Sequence, residues 1–410
     1  MDDCYNTNAI MKKKRLAALT THPIQYQVPL WRRLAERSHI DLLVYFCSDF
    51  SAGKNDFVPE LQREWNWGNA LLQGYRSRVL WNAWRQRTIG FFGFINPGIV
   101  WRLISERPDA LFVHGWGVFT HWLALFSAIA LRIPFFLYGE TSLEQDKRKT
   151  GWRKRARALA LMPILKSAAA CLYVGTEGRL FYEHYGVSKE KLIHVPYAVD
   201  NALFMRSDSE RSRERASVRA ELDIPQEAVI VLFVGKLIDK KRPFDLVAAV
   251  AAVQKNNPRR EIHLLYVGNG PLEPHLEAYA KSRDLRGVHF VEFQQQETLP
   301  RYYSAADIFV LPSGIGETWG LVINEAMCGG LPVLASNMVG CSKDLVHNGE
   351  NGYIFPVGDQ EALAGHIEDL VAHPEKRSRF GAHSRNLIRA WNFDTATDGI
   401  VRALDLVFPK

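Results

Sequence analysis

The chain reads as an α/β protein of two doubly wound domains whose parallel sheets face a cleft. Three observations predict it. Short apolar runs alternate with helical patterns along the whole chain, in two successive halves. A length of 410 residues suits two domains. Hydrophobic residues are 47% of the chain and charged residues 23%, a globular balance that excludes disordered, collagen-like and coiled-coil chains.

In the first half the strand candidates are 15–20, 41–46, 109–113, 134–138 and 170–174. In the second half they are 228–234, 262–267, 288–292, 307–311 and 332–335. Each is short, rich in β-branched or aromatic residues, and bounded by Gly, Pro or charge. Helices are expected between them, for example over 243–254 and 317–328. The halves meet near 196–205, and the polar run 206–221 reads as an exposed helix, because Glu and Asp are mixed among its arginines. Domains of 12–198 and 199–385 are expected, with 386–405 returning to the first as a crossover helix. Ligands of such sheets lie at the carboxyl ends of strands and between domains.

The basic run at 12–15 is followed by only a few apolar residues before His22 and Pro23, too few for a secretory signal. Segment 110–131 lacks charge, but Gly115 and Gly117 interrupt it, so it reads as a buried strand, a turn and a buried helix rather than a membrane span. Five scattered cysteines form no C-x-x-C pair, which favours a reducing, cytoplasmic setting over a disulfide framework. The net charge of +7 permits an anionic partner without demanding one.

The most informative segment is 307–336, where a strand ends at Pro312 and Glu317 opens the expected helix that carries Glu325. On one helix the two carboxylates lie toward one face, and the amides of Trp319, Gly320 and Leu321 sit in the first turn, where orphan donors favour a phosphate. The plain alternative is an acidic helix start with one solvated Glu. In 228–242 a strand runs into Gly235 and Lys236, with Lys240, Lys241 and Arg242 before a helix that starts at Pro243. This places ammonium groups where a diphosphate would be stabilised, although such a run also suits a solvated loop. A third element, Gly268-Asn269-Gly270, follows the next strand.

Together and in this order, the three elements resemble the C-terminal domain of GT-B-fold glycosyltransferases of the retaining family 4 type. The resemblance covers most of 12–405 and is most specific over 307–336. It implies two Rossmann-like domains and a nucleotide diphosphate sugar as donor. Glu317 would contact the donor sugar, Glu325 the ribose, and Lys236 with Lys241 the diphosphate. The first of that basic pair is more usually Arg in the family, and Lys lacks the bidentate fork. The family's active-site His, at the end of a first-domain strand, matches His114. Many members have a Gly-rich loop after the first strand. Here Thr20 to Tyr26 contains no glycine, so His22 and Gln25 are candidates for the polar contacts, with Glu140 a further cleft residue.

No Asp-x-Asp, H-E-x-x-H or His/Cys cluster at metal spacing occurs, so no metal and no cofactor beyond the donor are expected. Hydrolase elbows, P-loops and G-x-G-x-x-G after a strand are also missing. The implied reaction moves a hexose, with retention, to a glycan or lipid-linked acceptor in cell-surface polysaccharide or glycolipid synthesis. No enzyme nucleophile stands out, which agrees with the front-face mechanism proposed for the family. The rivals are a nucleotide-sugar 2-epimerase-like enzyme on the same scaffold and a non-catalytic subunit. Segment 147–166 is basic and then apolar, and 80–95 is rich in Trp and Phe with Arg85 and Arg87. These suit either peripheral docking on the anionic inner face of a membrane or an amphipathic helix packed on the core. A nucleic-acid partner is not expected, since aromatic and basic residues do not alternate on a strand-rich face.

Overall fold

A computed structural model describes residues 13–50, 56–58, 63–65, 69–83, 90–148 and 150–409. Within the segments 12–15, 80–95 and 147–166 read above, Lys12, Trp84, Arg85, Arg87 and Lys149 lie outside the described residues. The first half carries β1 (Lys14–Thr20), β2 (Ile40–Phe46), β3 (Asp56–Val58), β4 (Arg63–Trp65), β5 (Ser77–Val79), β6 (Ala110–His114), β7 (Phe135–Gly139), β8 (Ala170–Tyr173) and β9 (Leu192–His194). Seven of them form one sheet in the order β5-β2-β1-β6-β7-β8-β9, while β3 and β4 pair separately. The second half carries β10 (Val229–Val234), β11 (Ile262–Val267), β12 (Val288–Val291), β13 (Ile308–Leu311), β14 (Val333–Ser336) and β15 (Gly352–Phe355). They form a six-stranded sheet in the order β12-β11-β10-β13-β14-β15. Every pairing in the two large sheets is parallel.

Central strands such as β10 and β11 are buried at every position, as apolar strands covered by helices on both faces must be. The strands expected from apolar runs all form, within one residue of their bounds. The short edge strands β5, β9 and β15 were not expected. Each pairs on one side only and is too short or too polar to give an apolar run.

Strand order reverses between β1 and β6 in the first sheet and between β10 and β13 in the second. Loops leaving the carboxyl ends of these pairs diverge and leave crevices, which is where such folds hold ligands. His114 ends β6, Thr20 ends β1, Gly235 follows β10, and the 312–320 loop follows β13.

Two helical expectations need correction. The helix after β13 spans Leu321–Cys328 and does not begin at Glu317. Gly314 and Gly316 hold the preceding segment as a loop, and Gly320 caps the helix at φ 96°, a left-handed geometry that glycine adopts without strain. Glu317 and Glu325 therefore do not share a helical face, and of the three amides only that of Leu321 belongs to the first turn. The polar run 206–221 does form a helix, Asp208–Glu221, started by a reciprocal Ser207–Glu210 capping box. It is not solvated throughout, since the Arg219 side chain is fully buried.

The 110–131 segment resolves into β6, a turn and the helix Phe119–Leu131. Among the described residues no helix is long and apolar enough to cross a membrane. The final helix, Phe393–Val407, packs against the helix Val28–Glu36 of the first half. Arg33 pairs with Asp394 at 2.5 Å and Arg37 with Asp398 at 2.6 Å.

Candidate functional site

On the first-domain side, His114 closes β6 with its ring held from both nitrogens. Gln27 lies 2.5 Å from Nδ1, and Glu140, just beyond β7, lies 2.8 Å from Nε2. Thr20 donates to the Gln27 carbonyl oxygen at 3.4 Å, so the Gln27 amide nitrogen is the end that faces the ring. In this arrangement the Gln27 amide nitrogen can donate to Nδ1 while Nε2 can donate to Glu140. The Tyr197 hydroxyl also approaches Nε2 at 3.3 Å.

The other carboxylate oxygen of Glu140 accepts from Thr318 at 3.3 Å. The His114–Glu140–Thr318 chain thus passes from the first domain to the residue beside Glu317.

On the second-domain side, Lys241 precedes the helix Pro243–Asn256, and its Nζ lies 2.5 Å from Glu317 Oε2. Burial pushes the Glu317 carboxyl up, but the Lys241 ammonium, its hydrogen bond and the Lys240 charge outweigh that and hold it below its ordinary range. Glu317 is therefore ionised at neutral pH and takes one of the three Lys241 N–H donors. The loop under this pair is fitted closely. A Cβ on Gly268 would stand 2.1 Å from the Gly235 carbonyl oxygen, and one on Gly270 would stand 2.3 Å from that of Leu237. The Gly-Asn-Gly turn is thus needed to let the strand-end loops of β10 and β11 touch. Lys236 lies half-buried on the first of those loops.

Glu325 is fully buried on the helix Leu321–Cys328, and among the described residues no cation lies close to it. Tyr26 of the first domain donates to its Oε1 at 3.0 Å, and Tyr303 donates to its Oε2 at 2.6 Å. Burial raises its pKa to about 7, with the two hydroxyls opposing the shift. Near neutral pH it is therefore divided between both protonation states.

Other contacts close the domains around this centre. Gln145 donates to the Glu317 carbonyl oxygen at 2.9 Å, and Asn324 donates to that of Tyr197 at 3.2 Å. Asp344 accepts from the Thr176 hydroxyl at 2.7 Å and from its amide at 3.0 Å. Lys343 pairs with Glu177 at 2.6 Å.

The structure thus gathers His114, Glu140, Lys241, Glu317 and Glu325 at the interface of the two strand ends. Other expected residues are placed differently. His22 bonds its neighbour Thr21 at 3.0 Å and meets Phe50 edge-on. Gln25 lies by the Tyr26 hydroxyl, and it is Gln27 that reaches His114. The Trp319 indole is buried against Trp391 and donates to Asn324 at 3.0 Å, which turns it away from the cleft. Tyr26, Gln27, Tyr197 and Tyr303 were not singled out from sequence. For Gln27 a signal existed in its place just ahead of the helix that follows β1.

A cavity of about 500 Å³ opens beside His114, walled by Ile24, Phe91, Trp116 and Trp122, with Glu140 and Arg157 on its polar side. His121 also lines it, and its ring nitrogens are buried with no hydrogen bond of good geometry among the described residues, the Gly115 backbone being the polar group near them. Burial lowers its pKa to about 3, so the ring is neutral. A larger depression of about 870 Å³ lies at the amino end of β11, away from every residue of this centre, so volume alone does not locate the chemistry.

Residues 25–198 match the glycosyl transferase 4-like domain, and residues 214–387 match glycosyl transferases group 1. The chain is 34% identical over 230 residues to the D-inositol 3-phosphate glycosyltransferase of Corynebacterium efficiens, covering 53% of each chain. It is 32% identical over 188 residues to spore coat protein SA of Bacillus subtilis, covering 44% of this chain and 49% of that one. The chain therefore spans about half the length of the curated relatives it matches. Its fold is that of the Anabaena protein Alr3699/HepE in complex with UDP and glucose, with a TM-score of 0.71 at 17% identity over 96% of this chain and 99% of that one. With two facing parallel sheets, strand-end loops meeting in a cleft and both halves matched in order, the chain belongs to the group 1 glycosyltransferases of the GT-B type.

Proposed function

We propose that this protein transfers a hexose from a nucleotide diphosphate sugar to a glycan or lipid-linked acceptor, with retention at the anomeric carbon and without a metal. The observation that carries the reading is the Lys241–Glu317 pair at the β10/β13 strand ends, joined through Thr318 and Glu140 to His114. A sugar diphosphate seated there would place its leaving group against Lys241 and Lys236, whose charges stabilise the diphosphate as the bond to the anomeric carbon breaks. Glu317 and His114 would hold sugar hydroxyls, and Glu325 the ribose. The acceptor hydroxyl attacks from the face that the leaving group vacates, and its proton passes to the departing phosphate oxygen. The closing contacts keep water from the donor. That the relative from C. efficiens is a glycosyltransferase, and that Alr3699/HepE was solved with UDP and glucose, supports the donor class.

Calorimetric titration with UDP, GDP and ADP, without added metal, tests the donor site. One nucleotide should bind to the wild type and lose at least about tenfold in affinity in Glu325→Ala, as expected for a buried hydrogen-bonded carboxylate. Binding should be tighter at pH 8 than at pH 6, because the carboxylate has to be ionised to accept two ribose hydroxyls and its pKa is about 7. Equal binding by wild type and variant would remove Glu325 from the site. No binding of any of the three would withdraw the donor assignment.

The cavity beside His114 supports an acceptor that brings an apolar or ring face to Phe91, Trp116 and Trp122. Membrane access fits the same side. In the helix Trp152–Ser167, Leu161, Ile164 and Leu165 pack on the core, while Trp152, Arg155 and Leu159 are exposed. Trp81, Phe91 and Phe92 are exposed nearby in sequence to the cavity wall. One helix therefore serves both packing and an outward basic-aromatic face. Co-sedimentation should show more protein pelleting with anionic than with neutral liposomes, the difference disappearing in high salt. Equal pelleting with both would exclude electrostatic docking.

A further inference from the structure

Among the described residues, one group of ligating side chains converges outside the cleft: His347, Glu350 and His383. The geometry points to a binding site there for a divalent transition-metal ion of the zinc type, independent of the transfer reaction proposed above. Glu350 Oε2 stands between two imidazoles, 3.6 Å from His347 Nδ1 and 3.5 Å from His383 Nε2. All three ligand atoms lie within 4.8 Å of one another. A tetrahedral ion with bonds of about 2.0–2.1 Å needs neighbouring ligand atoms about 3.3–3.4 Å apart. The two distances to Glu350 already approach that spacing within a few tenths of an ångström, and closing the third side asks only for ring rotation of half-exposed histidines. Two imidazoles and one carboxylate form a borderline donor set that suits zinc and disfavours magnesium, which seeks oxygen ligands in an octahedron. The fourth position faces solvent and is left to water.

The ligands are held in place by the backbone. His347 and Glu350 sit on one turn, closed by the Glu350 amide donating to the His347 carbonyl oxygen at 3.0 Å. Asn351, fully buried, accepts from the His347 amide at 2.7 Å and donates to the Leu345 carbonyl oxygen at 2.8 Å. Its amide nitrogen also reaches the hydroxyl of buried Ser384 at 3.5 Å, next to His383 on the helix Pro374–Ile388. One asparagine thus latches the turn that bears two ligands to the helix that bears the third. As plain ion pairs, three half-exposed groups would contribute little, so an exposed salt bridge gives no strong reason for such preorganisation. The turn feeds the amino end of β15, opposite the end of the sheet where Lys241 and Glu317 lie. An ion here would staple the turn to the helix without touching the transfer centre.

Titration with zinc chloride decides the matter, using wild type, His383→Ala and His347→Ala, each first shown by circular dichroism to be folded without metal. The wild type should take up one equivalent more than either variant, with micromolar affinity, and zinc should raise its Tm more than theirs. Magnesium should do neither. Because the two variants lie on separate elements, a folding defect in one leaves the other to report. Equal zinc stoichiometry and equal Tm shifts in the wild type and a folded variant would overturn the assignment.

Discussion

Replacing Lys241 by alanine should lower turnover by about 10²–10³-fold at saturating donor, equivalent to about 2.7–4 kcal/mol of transition-state stabilisation. The ammonium is placed at the strand end where negative charge would grow on the leaving diphosphate, and a buried Glu317 fixes it at 2.5 Å. A group whose partner charge increases along the reaction acts mainly on kcat, so KM for the donor should change far less. Lys241→Arg keeps the charge but changes its shape and should recover part of the loss. A turnover loss below about threefold in Lys241→Ala would remove this residue from the mechanism. Glu317→Gln provides a cross-check, because it frees the ammonium without removing it.

The second large effect is on stability and lies away from the cleft. Arg219 is fully buried and donates to the carbonyl oxygens of Pro225, Gln226, Ala228 and Ala305, and to Asp307 Oδ2 at 2.7 Å. The same Asp307 oxygen accepts from the Ile230 amide at 2.9 Å, so the guanidinium pins the start of β13 to β10. Arg219→Ala should cost about 3–5 kcal/mol, because it leaves a carboxylate and several buried carbonyl groups underpaired. Arg215, which also pairs with Asp307 at 2.9 Å, limits the loss to that range. Hydrogen exchange should show the amides of β10 and β13 opening about two to four orders of magnitude more often, with those of β1 and β6 unchanged. Unchanged exchange in β10 and β13 would show that Arg215 alone suffices.

Sequence made the strands legible because buried parallel strands are continuous apolar runs, as in β10 and β13, and a run of that kind admits few other readings. It made the Lys241–Glu317 pair legible for a related reason: the two residues lie in the loops that leave β10 and β13. The loop ahead of Leu321 reads as a helix start because Glu, Thr and Trp tolerate one, while the positive φ at Gly316 and Gly320 that keeps it open is a tertiary fact. Tyr26 and Tyr303 could not be read, since they reach Glu325 from another domain and another helix. Gln25 and Gln27 look alike in sequence, and only the turn into the helix Val28–Glu36 decides which of the two faces β6. Arg219 looked like its solvated neighbours, with no local sign that its helix face meets Asp307. The His347, Glu350 and His383 group has no motif spacing, because its third member arrives from a separate helix.

The return of the last helix to the first domain has a mechanical consequence. The backbone crosses between domains twice, once near Val199–Asn201 and once between Ile388 and Phe393. Asn201 ties these crossings together by donating to the carbonyl oxygens of Ile388 at 3.2 Å and Trp391 at 3.4 Å. A single tether would act as a ball joint and allow the domains to swivel and twist. Two adjacent tethers bonded to each other remove much of that freedom, so any opening of the cleft has to part Tyr26 from Glu325 and Glu140 from Thr318.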